Sequence, residues 1–166
     1  MSKFNHQRHK PLTPLDRERT LILAFPQLRS NVNLSRIVRA ASCFAVTKIV
    51  TCGNTKVDSK IARNGLDQIC IESRRSLGPP LKKLKLEGYQ LVGLEQTDSS
   101  SNIHEFQFAR ETVLVVGHER NGIPESVLTL LDAAVEIPVY GLPFSLNVAT
   151  ATSIAMCEYC RRFPQG

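Results

Sequence analysis

Val113-Leu-Val-Val-Gly117-His-Glu119-Arg-Asn-Gly122-Ile-Pro124 reads as a buried strand that stops at a glycine. It then crosses a polar turn bracketed by a second glycine and enters a helix with proline in its first turn. Alone, this is an ordinary β–α turn. Its neighbours repeat the theme. Leu21–Phe25, Lys48–Cys52, Tyr89–Leu94 and Ala133–Ile137 are apolar runs of strand length, the second ended by Gly53-Asn54 and the last by Pro138. Between them lie helical patterns at Leu34–Phe44, Leu81–Glu87 behind the Gly78-Pro79-Pro80 breaker, Ile123–Leu131 and Leu146–Arg162. Asp98-Ser-Ser-Ser101 reads as a loop. Alternating strands and helices predict an α/β fold, a parallel sheet covered by helices on both faces. In such folds ligands collect at the C-terminal ends of the strands.

The chain has 166 residues, 42% apolar and 22% charged, which fits one globular domain and argues against disorder throughout. No stretch approaches the roughly 20 apolar residues of a membrane helix. The first 20 residues lack the apolar centre of a secretion signal, so a soluble, cytoplasmic protein is expected. Residues 1–19 carry Pro11, Pro14 and mixed charge, and predict a flexible basic arm ahead of a domain over 20–166. The whole net charge of +6 falls within residues 1–39, since the remainder is balanced. A one-ended basic surface is the footprint of a polyanion binder, although a solubilising tail has the same composition. Five cysteines argue for reduced thiols in a cytosol, and Cys157-Glu-Tyr-Cys160, near the end of a helix, reads as packing.

There is no GxGxxG after the first strand and no GxxxxGK[ST], which disfavours dinucleotide and P-loop nucleotide binding in their usual forms. The candidate site residues lie elsewhere. Asn33 is placed to cap the first helix, whose core stripe is Leu34, Ile37, Val38, Ala41 and Phe44. Arg39 points off that stripe and is free for an anion; a solvated surface arginine gives the same pattern. Glu119 sits at a strand mouth, where a carboxylate accepts from backbone N–H groups or a substrate. Ser145 is placed to cap the last helix, where Ala149, Thr150, Ala151, Thr152, Ser153 and Ala155 permit close packing. No His–Asp pair accompanies Ser145, so a serine nucleophile is a poor reading. His104 and His118 lack metal-ligand spacing and read as structural or exposed; no metal site is expected.

Taken in order, Asn33…Arg39, Gly117-x-Glu119-x-x-Gly122-Ile-Pro124 and Ile137-Pro138…Ser145-Leu-Asn147-Val148 resemble the motifs of the SpoU (TrmH) family of RNA 2′-O-ribose methyltransferases, part of the SPOUT class. The likeness spans about residues 20–162. Gly88–Thr97 is also similar to the matching strand of eukaryotic enzymes that methylate a D-loop guanosine of tRNA. The resemblance implies a C-terminal trefoil knot, a homodimer and S-adenosyl-L-methionine as cofactor. It implies RNA as partner: tRNA, with rRNA or a tRNA wobble nucleotide as alternatives. It places Leu94, Glu95, Gly117, Ile137 and Leu146 around the cofactor. It casts Arg39 as acting at the reacting hydroxyl, helped by Asn33, Glu119, Ser145 and Asn147. Ser35 and Ala45 stand where the family usually has glycine, and Ala149 where it often has serine. Ser35 is expected to crowd the ribose or phosphate. These departures are the support for the competing reading, a non-catalytic knotted RNA-binding module.

Overall fold

The computed structural model describes residues 4–7 and 10–166. Within them the chain runs β1 (Ile22–Phe25), α1 (Asn31–Cys43), β2 (Lys48–Cys52), α2 (Ser59–Ala62), a 3-10 turn (Arg63–Gln68), β3 (Cys70–Arg74) and α3 (Gly78–Leu86). It continues through β4 (Gln90–Leu94), β5 (Ser101–Asn102), β6 (Thr112–Val116), α4 (Glu125–Leu128), β7 (Ala133–Glu136) and α5 (Val148–Arg162). The seven strands form one sheet in the order β3-β2-β1-β6-β4-β7-β5, and every pairing is parallel.

Side chains along a strand alternate between faces, so a fully buried strand must feed two cores. In β1 and its flank, Leu21, Leu23 and Phe25 join one cluster with Ile37, Val38 and Ala41 of α1 and Ala155, Met156 and Tyr159 of α5. Ile22 and Ala24 join the other, with Leu81 and Leu84 of α3 and Val127 of α4. The expected two-faced α/β layering is therefore observed. At roughly 25 cal/mol per Å² of apolar surface, each buried Leu or Ile in these layers stabilises the fold by about 1.5–3 kcal/mol.

Several local expectations are corrected. Helix α1 starts three residues early, and its cap is Ser30, whose hydroxyl accepts from the Asn33 N–H; Asn33 lies in the first turn instead. Helix α5 starts at Val148 and is capped by Asn147, not Ser145, because the Asn147 carbonyl accepts from Ala149 N and Thr150 N. Strand β7 ends at Glu136, one residue before Ile137, and α4 is a single turn that Pro124 precedes. Strands β3 and β5 and helix α2 lie outside the expected elements.

The family-glycine positions have structural reasons of their own. Ala45, just past the end of α1, adopts φ +55°, the left-handed region where glycine is relaxed. Ser35 is fully buried, donates to Asn31 O at 2.6 Å and accepts from Asp58 N at 2.8 Å. It holds α1 against the start of α2, with its side chain buried in that contact.

Of residues 1–19, Met1–Lys3 and Arg8–His9 lie outside the described residues. Near its end the segment is tied to the C-terminal segment: Asp16 N donates to Gln165 O, and Arg19 donates to Phe163 O at 2.8 Å. Arg19 also lies over the Tyr159 ring and is buried. Cys157 is exposed and Cys160 packs on the core; all five thiols are free.

Candidate functional site

A cleft of about 520 Å³ opens at the C-terminal ends of β4, β6 and β7, within the range of roughly 300–1,000 Å³ typical of small-molecule sites. Three strand ends form its floor: Leu94–Gln96, Val116–Glu119 and Glu136–Ile137. The segment that returns from β7 to α5 supplies Val139 and Ser145–Val148, and Asn33 of α1 closes one side. The structure thus brings together Leu94, Glu95, Gly117, Ile137 and Leu146 with Asn33, Glu119, Ser145 and Asn147. Arg39 does not line it. It lies exposed on α1, six residues past Asn33, which is about 9 Å along a helix axis.

A chain of side-chain amides and carboxylates fixes the geometry. Glu119 accepts from the backbone N–H groups of Arg29 at 2.9 Å and Ser30 at 3.1 Å. It accepts from Asn33 Nδ2 at 3.1 Å as well. Asn33 Oδ1 in turn accepts from Asn147 Nδ2 at 3.1 Å. Since Asn147 Oδ1 is occupied by the α5 N–H groups, each amide has one orientation that satisfies every bond. The β6 loop, the entry to α1 and the start of α5 are therefore one unit. Glu95 plays a matching part: its Oε2 accepts from Ile123 N at 2.9 Å and pins the far end of the same loop.

Burial raises the Glu119 pKa, but donors from Arg29 N, Asn33, its own N–H and Ser30 N outweigh it, and the net shift is downward. A depressed carboxylate contributes stability that is present above the unfolded value near 4.3 and is lost as pH falls through the folded value. Glu119→Gln is therefore expected to cost roughly 1–3 kcal/mol at neutral pH. In urea titrations its deficit should shrink toward zero as pH drops below about 4. A deficit of constant size across that range would show that the charge of Glu119 is irrelevant.

His118, read from sequence as structural or exposed, lines the cleft. Its Nδ1 accepts from Arg120 N at 3.1 Å, and its Nε2 lies 3.7 Å from Glu119 Oε2. Gln96, Arg120 and Glu136 also line the cleft and were missed. Gln96 and Glu136 stand within two residues of a strand end, their only sequence signal, whereas Arg120 lies four residues past β6 and is brought in by its loop. Apolar walls from Val116, Ile137, Val139, Leu146 and Ala151 face carboxylates of Glu95, Glu119 and Glu136. Such a cleft suits a flat heterocycle joined to a cation. Among the described residues, no cluster of three or more His, Cys, Asp or Glu converges as a metal site, and no helix is long and apolar enough to cross a membrane.

Comparison with known proteins gives a consistent picture. The model of the SpoU rRNA Methylase family matches residues 20–157. A tRNA (guanosine(18)-2′-O)-methyltransferase of Aquifex aeolicus is 29% identical over 150 residues, 88% of this chain and 71% of that protein. The enzyme of the same name from Saccharomyces cerevisiae is 41% identical over 80 residues, 48% of this chain and 6% of its own length. The chain thus spans a small fraction of that long eukaryotic relative. Among solved structures, an A. aeolicus TrmH/SpoU tRNA modifying enzyme superposes with a TM-score of 0.85 at 28% identity, covering 91% of this chain and 79% of the other. The SpoU methyltransferase AviRb of Streptomyces viridochromogenes, in complex with AdoMet, gives 0.79 at 26% identity, covering 90% and 63%.

Proposed function

Because the chain belongs to the SpoU rRNA Methylase family, we propose that it transfers a methyl group from S-adenosylmethionine to a ribose 2′-hydroxyl of RNA, a guanosine of tRNA. The carrying observation is the cleft at the β4, β6 and β7 ends, where the three family motifs meet through the Glu119–Asn33–Asn147 chain. Relatives named for guanosine 2′-O-methylation of tRNA support the substrate, and the AdoMet complex of AviRb supports the cofactor.

The cleft's chemistry fits that cofactor. Leu94, Gly117, Ile137 and Leu146 would hold it beside the apolar walls, and three carboxylates against one arginine leave the lining net negative, which favours a positive charge. When bound, the cofactor supplies an activated methyl group on sulfur. The chain's own work is positioning and charge. The 2′-hydroxyl is a weak nucleophile and loses its proton as the oxygen–carbon bond forms. The Arg39 guanidinium is a poor proton acceptor but a strong donor to the developing negative charge, and an RNA phosphate takes the proton. Asn33 and Asn147 hold the entry to α1 against α5. Ser145, exposed on the rim, is left to contact the ribose phosphate.

Within one chain Arg39 lies outside the cleft lining, so this reading includes a homodimer in which Arg39 serves the cleft of the second copy. It also includes the family's trefoil knot. Support comes from the β7–α5 segment, which is held on one side by Gln96 Nε2 to Phe144 O and on the other by Asn147 to Asn33. A non-catalytic module loses its ground, since Ser35 and Ala45 act within α1 and its ends rather than at the cleft.

The test is incubation with tritiated S-adenosylmethionine and, separately, bulk tRNA and rRNA, with mapping of the modified nucleotide. Label is expected in tRNA at a guanosine ribose. Label confined to rRNA would reassign the substrate. No label, with no heat of cofactor binding by calorimetry, would defeat the reading.

A further inference from the structure

The loop from β7 to α5 holds its large side chains in water. Tyr140 is 95% exposed, Leu142 79%, Phe144 80% and Leu146 41%. Isolated exposed apolar residues such as Leu12 and Leu86 need no explanation, but four within seven residues form a patch. The patch borders the cleft. Val139, Ser145 and Leu146 of the same loop line it, and Phe144 O accepts from Gln96 Nε2 on the opposite rim at 3.4 Å. Pro138 and Pro143 fix φ on either side of Tyr140 and so limit the loop's freedom before any partner arrives.

The chemistry nearby selects the occupant. Arg120 lies on the cleft wall and is exposed. Arg29, whose backbone bonds Glu119, and Arg36 on α1 are exposed too. All the net positive charge falls in the first 39 residues, which include α1 up to Arg39. Exposed aromatic rings on a loop that borders a cleft walled in part by Arg120 suit unpaired nucleobases, which stack on the rings while arginines meet the phosphates. We propose that Tyr140 and Phe144 are a stacking platform for unpaired bases next to the nucleotide being modified. This rests on the RNA-methyltransferase reading and adds to it the way the substrate is held: an unstacked, single-stranded segment of RNA is gripped by base planes.

The test is fluorescence anisotropy with labelled bulk tRNA in the presence of S-adenosylhomocysteine, which needs no turnover. Tyr140→Ala and Phe144→Ala are each expected to weaken binding about tenfold. Tyr140→Phe and Phe144→Tyr should bind within about twofold of wild type, while Phe144→Leu, apolar but not planar, should fall with the alanine variant. Cofactor affinity should be unchanged, because neither ring lines the cleft. Wild-type RNA affinity in the alanine variants, or full rescue by leucine, would overturn the platform. So would alanine variants that sediment as smaller species with RNA affinity intact, since the patch would then cover a second copy. The two readings separate cleanly: aromatic-dependent tRNA binding without methyl transfer would sink the reaction and leave the platform standing.

Discussion

Arg39→Ala is expected to lower methyl transfer to tRNA by 10²–10³-fold, the usual effect of losing one donor aimed at developing negative charge. The affinity for S-adenosylmethionine should stay at the wild-type value, because this reading places Arg39 at the reacting hydroxyl rather than around the cofactor. Stability should be unchanged as well. Arg39 is exposed, and among the described residues its side chain makes no hydrogen bond or ion pair. Arg39→Lys keeps the charge but loses the planar fork of donors, and should recover only part of the rate. The same reading predicts complementation. Gly117→Ala damages the cleft and Arg39→Ala removes the donor, so each is strongly impaired alone. Subunits mixed after mild unfolding should regain activity if Arg39 serves the second copy's cleft. Full activity of Arg39→Ala, or loss of cofactor binding in parallel with rate, would remove Arg39 from the mechanism.

How far the sequence foretold this arrangement depends on what each segment had to do. Strands β1, β2, β4 and β6 were legible because their apolar runs are buried on both faces, and β7 because its short apolar run is stopped by Pro138. Strand β3 was not: at the sheet edge it carries Arg74 and Glu72, and Glu72 pairs with both Arg74 and Lys48. Charges that protect an edge also erase the apolar signal. The position of β6 between β1 and β4 is a property of pairing, which local pattern cannot carry. Capping failed for a different reason. Ser30 and Asn33, and likewise Ser145 and Asn147, are equally good cap formers, and only tertiary contacts choose between them. Asn147 wins because its Nδ2 can reach Asn33, while Leu146 is drawn into the cleft wall. The cleft residues were visible because they stand at strand ends within family motifs. The cleft gains His118 and Arg120 because the β6 loop folds back on itself, a feature no residue type announces.

That fold-back makes Gly117 the most sensitive position in the site. His118 N donates to Gly122 O at 2.9 Å, and Gly122 N donates to His118 O at 3.0 Å, closing the loop across a two-residue bridge. A Cβ on Gly117 would stand 2.7 Å from Gly122 C, 2.8 Å from Gly122 Cα and 2.9 Å from Ile123 N. All three atoms are backbone, so no rotamer change relieves the contact. The bridge must open, and it drags Ile123 N away from Glu95 and Glu119 away from the start of α1. Gly117→Ala is therefore expected to destabilise the protein by roughly 1–3 kcal/mol. At about 2–4 °C per kcal/mol for this size, that is a drop in Tm of several degrees. The larger effect falls on the site. A shift on the order of 1 Å in the wall that carries Glu119 should weaken cofactor binding and turnover together, turnover by about 10²-fold. Gly141→Ala is the matched control, because a Cβ there meets nothing within 4 Å. It should leave Tm and cofactor affinity at wild-type values. If calorimetry found Gly117→Ala binding S-adenosylmethionine as tightly as the control, the β6 loop would not be the wall that holds the methyl donor.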